Sequence, residues 1–157
     1  PLANRNGGYP FDRYQGKSWL DLLAKPDGAH HEVLFASHTF HEIQMYYPMR
    51  VVRDRQYKLI WNIAHPLPYP FASDLWAASS WQAQLSQGTD APYGVRTVQQ
   101  YVHRPEFELY DIAADPHESR NLADDPRFAE VLARYQALLQ EQQRELEDPW
   151  ALKWQYE

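Results

Sequence analysis

The chain has 157 residues, a formal net charge of -6 and a mean hydropathy of -0.70. Its 15 Lys and Arg form no long run, so it lacks the concentrated positive face with which proteins bind nucleic-acid backbones. It has no cysteine, which excludes disulfides, zinc–thiolate sites and thiol catalysis within the chain. No apolar run approaches the roughly 20 residues of a membrane span. The length suits one domain, and the start at Pro1 rather than Met predicts a piece of a longer polypeptide.

The first 28 residues predict a loop and one short helix. Residues 1–16 are dense in turn-forming residues. Ser18 is placed to cap a helix over residues 19–24, in which Trp19, Leu20 and Leu23 recur at helical spacing. The Pro-Asp-Gly of residues 26–28 ends it, and a strand is expected over residues 32–36.

Residues 37–48, Ser-His-Thr-Phe-His-Glu-Ile-Gln-Met-Tyr-Tyr-Pro, predict a polar and aromatic loop. His38, His41 and Glu42 fall within five positions and make this the most chemically loaded stretch. The order His-x-x-His-Glu is not the His-Glu-x-x-His order that places two metal ligands on one helix face. Three interpretations stay open: a metal site without a marked third ligand, a structural loop with hydrogen-bonded histidines, and a loop that contacts substrate.

Residues 49–54 and 56–62 predict a β-hairpin with its turn at Asp54-Arg55. Both runs are rich in Val, Ile, Tyr and Trp, and the second alternates in hydrophobicity. Two interpretations of the basic side chains along the hairpin stay open. They line a solvated sheet face, or Arg50 holds an acid group at the base of the preceding loop.

Between this hairpin and residue 107 the pattern is less regular. Three prolines within residues 64–71 prevent regular structure there. A helix is expected over residues 72–85 with Ser73 or Asp74 as its cap. A loop follows over residues 88–94, and residues 95–103 are expected to be extended.

The stretch 107–126 predicts a strand, a polar turn and a capped helix start. Phe107 to Tyr110 favours a strand, Asp115-Pro116 a turn, and Asp125-Pro126 a helix N-terminus. The carboxylates in and around this turn resemble a cluster, but caps and turns already explain them. They are Asp111, Asp115, Glu118, Asp124 and Asp125.

A long amphipathic helix is predicted from residue 126 to about residue 147. One apolar stripe has a period of 3.6 residues and is interpreted as core. Asp148-Pro149 stops the helix, and Trp150 and Trp154 are expected to pack back onto the sheet. The stripe comprises Phe128, Val131, Leu132, Tyr135, Leu138, Leu139 and Leu146.

The order of elements predicts an α+β fold. About four strands form a small antiparallel sheet, and the long C-terminal helix packs on one face of it. The residues themselves show no complete catalytic constellation, no Gly-x-Ser-x-Gly and no phosphate-cradling glycine loop. A non-catalytic carbohydrate-binding module and a scaffold whose long helix docks on a partner remain alternatives at this point.

Two segments carry a resemblance to the type I sulfatases. They are residues 47–62, Tyr-Pro-Met-Arg-Val-Val-Arg-Asp-Arg-Gln-Tyr-Lys-Leu-Ile-Trp-Asn, and residues 108–126, which open Glu-Leu-Tyr-Asp and continue Asp-Pro-His-Glu-Ser-Arg-Asn-Leu. Together they are similar to the C-terminal subdomain of that family. His41-Glu42, Met45, Tyr47-Pro-Met-Arg50 and Asp148-Pro-Trp150 add a resemblance to the heparan N-sulfatases (N-sulfoglucosamine sulfohydrolases). The Gly16-to-Leu23 segment is similar to the end of the family's large domain.

The resemblance implies a two-domain hydrolase of the alkaline-phosphatase superfamily, acting in glycosaminoglycan degradation. It implies that residues 1–28 are a linker and the end of the large domain, and that residues 29–157 are the C-terminal subdomain. The family's formylglycine, made within Cys/Ser-x-Pro-x-Arg, and its calcium ion belong to the N-terminal domain. This chain lacks that motif, so we expect no catalytic residue and no metal site in it, and no sulfatase activity of the chain alone.

The expected partners are that N-terminal domain and a sulfated sugar, with N-sulfoglucosamine sulfamate favoured. The residues expected to face the substrate are His38 and His41, with Glu42 or Arg50 supporting the loop. By resemblance, the compartment is periplasmic, secreted or lysosome-like.

Overall fold

The computed structural model describes residues 18, 20–25, 30–40 and 45–156. The chain separates into two compact units, Pro1–Glu32 and Val33–Glu157. In the first unit, α1 spans Leu20–Ala24. The backbone N–H of Leu20 donates to Ser18 Oγ at 3.3 Å, which agrees with the predicted cap. The assignment of residues 1–28 to the end of a larger domain stays a prediction.

The second unit is built on a four-stranded antiparallel sheet. Its strands are β1 (Leu34–Phe40), β2 (Tyr46–Arg53) and β3 (Tyr57–Asn62), together with a fourth strand at Phe107–Asp111. The first three follow one another along the chain, and the fourth pairs with β3 on the far side. The predicted antiparallel sheet of about four strands is therefore confirmed.

The turn between β2 and β3 forms where the sequence predicts it. Asp54 Oδ1 accepts hydrogen bonds from the backbone N–H groups of Gln56 and Tyr57, each at 2.7 Å. Short polar side chains favour such turns because they bond their own backbone a few residues on. Asp54 Oδ2 also accepts from the Tyr135 hydroxyl, so the turn is tied to the long helix.

The prediction of a loop throughout residues 37–48 is wrong at both ends. β1 continues to Phe40 and β2 begins at Tyr46, with Phe40 paired to Tyr46. The register shifts between His38 and Phe40. The polar composition favoured a loop because β1 is an edge strand with mostly exposed side chains. Such a strand carries little apolar patterning. Residues 41–44, including His41 and Glu42, lie outside the described residues.

A long insertion, residues 63–106, joins β3 to the last strand. Its regular elements are α2 (Ser73–Ala77), α3 (Ser79–Leu85), β4 (Pro92–Tyr93), β5 (Arg96–Thr97) and α4 (Val98–Val102). The final strand, Phe107–Asp111, is therefore β6. The insertion has a small core of its own around Trp81, Ala91 and Val98.

Two sequence predictions fail in this insertion. The expected helix over residues 72–85 breaks at Ala78, whose ψ of 128° is extended, and its N-cap is Ala72 without a side-chain hydrogen bond. Residues 95–103 are not extended throughout, because Thr97 and Gln100 form a reciprocal capping box that starts α4. Thr97-Val-Gln-Gln100 has the spacing of that box, a signal that the low hydrophobic periodicity of the segment obscured.

The C-terminal part follows the predicted plan. A 3₁₀ turn at Pro126–Phe128 leads into α5 (Ala129–Glu145), and Asp125 caps the turn by accepting from the N–H of Arg127. The main core lies between α5 and one sheet face: Val52, Leu59, Trp61, Ile63, Leu109, Leu122, Tyr135 and Leu139. Leu146, predicted in the stripe, follows the end of α5 and is 42% exposed.

The acidic side chains of residues 111–125 are mostly occupied as turn and cap ligands, as predicted. Asp111 accepts from the N–H of Ala114 at 3.0 Å, and Asp115 from that of Ser119 at 2.7 Å. Glu118 differs because it binds a side chain, the Lys58 ammonium, across the sheet. None of the described helices has the length and apolar composition needed to span a bilayer.

Candidate functional site

One end of the sheet holds His38 and Arg50, the two described residues among the four that the sequence singled out. β1 ends there, β2 begins there, β3 ends at Asn62 and β6 begins at Phe107. Across β1 and β2, Ser37 pairs with Arg50 and His38 pairs with Met49. Since neighbouring side chains of a strand point to opposite faces, His38 and Arg50 lie on opposite faces of the sheet.

Arg50 lies on the α5 face, where it is only 6% exposed. Its Nε and Nη2 donate to the two carboxylate oxygens of Asp148 at 2.5 and 2.9 Å. Its Nη1 donates to the backbone carbonyls of Met49 and His38 at 2.8 and 3.2 Å. The acid group that Arg50 holds is therefore Asp148, and all three guanidinium nitrogens have acceptors in the protein. This arrangement suits support of the β1–β2 connection.

Asp148 is held from three directions. Its oxygens also accept from the backbone N–H of Trp150 at 2.9 Å and from Gln143 Nε2 at 3.2 Å. Burial acts to raise the pKa of Asp148, but the hydrogen bonds from Arg50, Trp150 and Gln143 outweigh it and hold the pKa below its ordinary value. Asp148 is therefore ionised at neutral pH.

The segment after α5 also fastens the start of β2. A 3₁₀ turn, Pro149–Trp154, follows Asp148. The indole N–H of Trp150 donates to the Tyr46 hydroxyl at 3.2 Å, and the ring lies 4.9 Å from the Arg50 guanidinium. Trp154 packs on Trp61 with ring centroids 4.0 Å apart. The predicted return of the two tryptophans to the sheet is confirmed.

His38 lies on the other face, the one covered by the insertion. Its Nδ1 is 3.1 Å from the backbone carbonyl oxygen of Tyr47. A carbonyl only accepts, so Nδ1 must carry the hydrogen. In the neutral ring Nε2 then has its lone pair available to accept a hydrogen bond from a hydroxyl group, and in the protonated ring it becomes a donor suited to an anion.

Aromatic rings and one arginine surround this face near His38. Tyr47 is fully buried, and burial raises its pKa to about 12. Its ring meets the ring of Tyr69 edge-on at 5.1 Å. The guanidinium of Arg104 lies 3.8 Å from the Tyr69 centroid and 5.6 Å from that of Tyr101, and its Nη1 is 3.9 Å from Met49 Sδ.

Glu108 anchors the insertion to the sheet. This carboxylate is 2% exposed and accepts from Asn62 Nδ2 at 2.9 Å, from Arg96 Nη2 at 3.0 Å and from the Tyr110 hydroxyl. Burial and the contact with Glu108 raise the pKa of Tyr110. Glu108 is therefore a buried charge fully engaged by protein donors and has a structural role.

His38 and Arg50 were proposed from the sequence, whereas Asp148, Glu108 and Arg104 were not recognised there as members of this cluster. The Glu-Leu-Tyr-Asp segment contains Glu108, yet alternation alone shows only that it faces away from Leu109. The substrate-binding roles given to His38, His41, Glu42 and Arg50 stay predictions.

The residues present do not fit a sulfatase calcium ion or a formylglycine. Within the part of the chain that the structure describes, no three His, Asp or Glu side chains are grouped as metal ligands. The sequence contains neither a cysteine nor a Ser-x-Pro-x-Arg motif from which formylglycine is made. No chemical step is therefore assigned to such groups in this chain.

Comparison with known proteins relates the chain to sulfatases in sequence. It is 39% identical over 138 residues to human N-sulphoglucosamine sulphohydrolase, a match that covers 86% of this chain and 27% of that protein. It is 37% identical over 68 residues to Delta 4,5-hexuronate-2-O-sulfatase of Bacteroides thetaiotaomicron, covering 41% of this chain and 14% of that protein. The chain thus spans about a quarter or less of these relatives. No family model matches it.

Solved structures share the fold. A 2-O GAG sulfatase superposes with a TM-score of 0.56 at 20% identity, over 90% of this chain and 22% of that one. A protein in complex with its substrate D-glucosamine-2-N,6-O-disulfate superposes with a TM-score of 0.53 at 18% identity, over 90% and 22%. The four-stranded sheet, the long C-terminal helix and the sequence similarity together match the C-terminal region of sulfatases.

Proposed function

We propose that the chain completes a sulfatase that hydrolyses sulfate from sulfated sugars, with the sulfamate of N-sulfoglucosamine as its substrate. The observation that carries this proposal is the 39% identity to human N-sulphoglucosamine sulphohydrolase over 138 residues. Because the chain corresponds to 27% of that relative, the activity is proposed for the longer protein and not for the chain alone.

In this proposal the chemistry belongs to an N-terminal domain that supplies the formylglycine and the calcium ion. The C-terminal subdomain contributes one wall of the substrate cleft. We place that wall at the end of the sheet where β1 and β2 meet, with His38 and His41 towards the sugar and Glu42 or Arg50 supporting the loop. By the same resemblance, the longer protein belongs in a periplasmic, secreted or lysosome-like compartment.

The geometry supports different roles for His38 and Arg50 at this wall. A sulfated sugar offers an anion and hydroxyl groups, which imidazoles bind through charge-assisted or ordinary hydrogen bonds. His38 is only partly buried, and its Nε2 remains available once Nδ1 has donated to Tyr47. Arg50 is saturated by Asp148 and two carbonyls, so it supports the wall from behind and does not bind the sugar.

The experiment that tests the proposal is an assay of the full-length protein on N-sulfoglucosamine beside an aryl sulfate. We expect sulfate release from N-sulfoglucosamine with the higher kcat/KM. Hydrolysis of the aryl sulfate alone would overturn the sulfamate assignment while leaving a sulfatase. Hydrolysis of neither compound, by protein shown to contain formylglycine, would overturn the proposed function itself.

A further inference from the structure

Arg104 is a half-buried cation whose charge has no carboxylate partner among the described residues. Its Nε is buried and makes no hydrogen bond there. The two other arginines beside this end of the sheet differ, since Arg50 binds Asp148 and Arg96 binds Glu108. A buried donor without an acceptor is costly, so such a group is usually satisfied by water or a ligand.

The guanidinium is nevertheless held in a fixed position. It stacks 3.8 Å from the Tyr69 ring centroid, and Nη1 lies 3.9 Å from Met49 Sδ. Tyr69 is fixed in turn by the edge of Tyr47 at 5.1 Å. A planar guanidinium pre-organised by aromatic rings loses little freedom when it binds an anion, and it can offer two parallel donors.

Arg104 also lies at the end of the sheet where we place the substrate wall. Arg104 stands just before β6, at the same end of the sheet as the β1–β2 connection. Its contact residue Met49 is the cross-strand partner of His38, and both side chains are on the insertion face. The arginine and the free edge of the histidine therefore belong to one surface.

Neighbouring buried groups add polarity without neutralising the charge. The Tyr47 hydroxyl and Asn62 Oδ1 are buried and make no hydrogen bond within the described ranges. Glu108, a buried carboxylate on the same face, already accepts from Asn62, Arg96 and Tyr110. The charge of Arg104 is therefore not compensated by a carboxylate among the described residues.

We propose that Arg104 binds a second anionic substituent of the sugar substrate, distinct from the sulfamate that is hydrolysed. The substituent is a carboxylate or a further sulfate, because both present two oxygens to the guanidinium edge. The inference rests on the proposed function, since the hydrolysed group must meet catalytic residues outside this chain. Arg104 then selects substrates by their second charge and contributes nothing to the bond cleavage.

The test compares Arg104→Gln with the wild type in the full-length protein on three probes. These are N-sulfoglucosamine, glucosamine-2-N,6-O-disulfate, and a disaccharide in which a uronic acid is linked to N-sulfoglucosamine. A charge-assisted hydrogen bond of ordinary strength predicts a tenfold to hundredfold rise in KM for a probe whose second anion Arg104 binds. The KM for N-sulfoglucosamine should change less than twofold. The probe that responds identifies sulfate or carboxylate as the anion.

Two further variants make the result specific. Arg104→Lys keeps the charge but loses the planar, stacked fork, so its rise in KM should lie between those of the wild type and Arg104→Gln. Arg134→Gln, on α5 and 65% exposed, removes an arginine away from this surface and should leave all three KM values unchanged. An equal rise for all three probes, or no rise for either two-anion probe, would overturn the role of Arg104 while the proposed function stands.

Failure of the proposed function would look different. Wild-type protein would then hydrolyse none of the probes. Equilibrium binding of the same probes to the wild type and to Arg104→Gln still tests Arg104. A higher Kd of Arg104→Gln than of the wild type, confined to a two-anion probe, supports the site, and equal Kd values for the two proteins exclude it.

Discussion

Arg50 and Asp148 are 98 positions apart in the chain and form a two-point ion pair on the α5 face of the sheet. The pair joins β2 to the segment that follows α5. Because Arg50 also binds the carbonyl of His38 at 3.2 Å, the pair fixes the backbone that leads into residues 41–44. The far end of the chain therefore positions the proposed substrate wall.

Replacing Asp148 by Ala should destabilise the protein strongly. It leaves the Arg50 guanidinium, 6% exposed, without its counter-charge. Removing one member of a buried ion pair typically costs about 3–5 kcal/mol. Urea unfolding of the full-length protein measures this loss. The control is Asp124→Ala at an exposed position, for which a change within about 0.5 kcal/mol is expected. A similarly small effect at Asp148 would show that the pair contributes little.

Stability should fall with decreasing pH partly through Asp148. Its pKa in the folded protein is held below the ordinary value, chiefly by Arg50 against the opposing effect of burial. The stabilisation is therefore complete above the unfolded-state pKa of about 3.9 and is lost as the pH falls through the lower folded value. Melting temperatures recorded from pH 7 to pH 3 should decline less steeply in Asp148→Asn than in the wild type. Parallel curves would assign the acid sensitivity to other carboxylates.

Replacing His41 by Ala in the full-length enzyme tests the proposed substrate wall. If the imidazole contacts the sugar, kcat/KM for N-sulfoglucosamine should fall by about tenfold or more, the value of one hydrogen bond to a charged group. The unfolding midpoint should stay near that of the wild type. His117→Ala, at an exposed position of the polar turn, is the matched control. Unchanged kinetics for the sulfated sugar would make the loop purely structural.

Glu108→Ala should loosen the insertion from the sheet. The change removes the acceptor of Asn62, Arg96 and Tyr110 in a site where the carboxylate is 2% exposed. Hydrogen–deuterium exchange should speed up in residues 92–105 more than in α5, because the lost contacts fasten the insertion. Glu106→Ala, an exposed neighbour, is the control. Equal protection in the two variants would show that packing alone holds the insertion.

The Glu108 experiment also bears on substrate selection. Arg96 would lose its carboxylate, and the surface around Arg104 would lose a rigid support. We therefore expect Glu108→Ala to raise KM for a two-anion probe indirectly, together with a lower melting temperature. Arg104→Gln should raise KM without that loss of stability, which separates binding from support.

Local signals in the sequence were sufficient for several elements. The hairpin 49–62 follows from β-favouring residues and a turn aspartate, and the capped helix after Asp125 follows from its Asp-Pro start. These features depend on neighbours within a few residues. Local signals failed over residues 72–85, where the helical periodicity of the sequence continues across the extended backbone of Ala78.

The candidate site could be predicted only in part. His38 and Arg50 were recognised as polar groups beside a turn of the chain, but their placement on opposite faces depends on strand register. No sequence pattern marked Arg104, because what distinguishes it is the lack of a carboxylate partner at a half-buried position. That lack can be recognised only once the neighbouring side chains are known.

The α+β plan, the resemblance to sulfatases and the strand, turn and helix between Phe107 and α5 can be predicted from sequence, since they depend on short-range caps, periodicity and motifs. Which charges are neutralised depends on contacts that only the folded chain shows. Asp148 neutralises Arg50 across 98 positions, Glu108 engages Arg96, and Arg104 is left with no carboxylate among the described residues. Burial makes the pairing of each of these charges energetically important, and burial arises from contacts between segments that are distant in the chain.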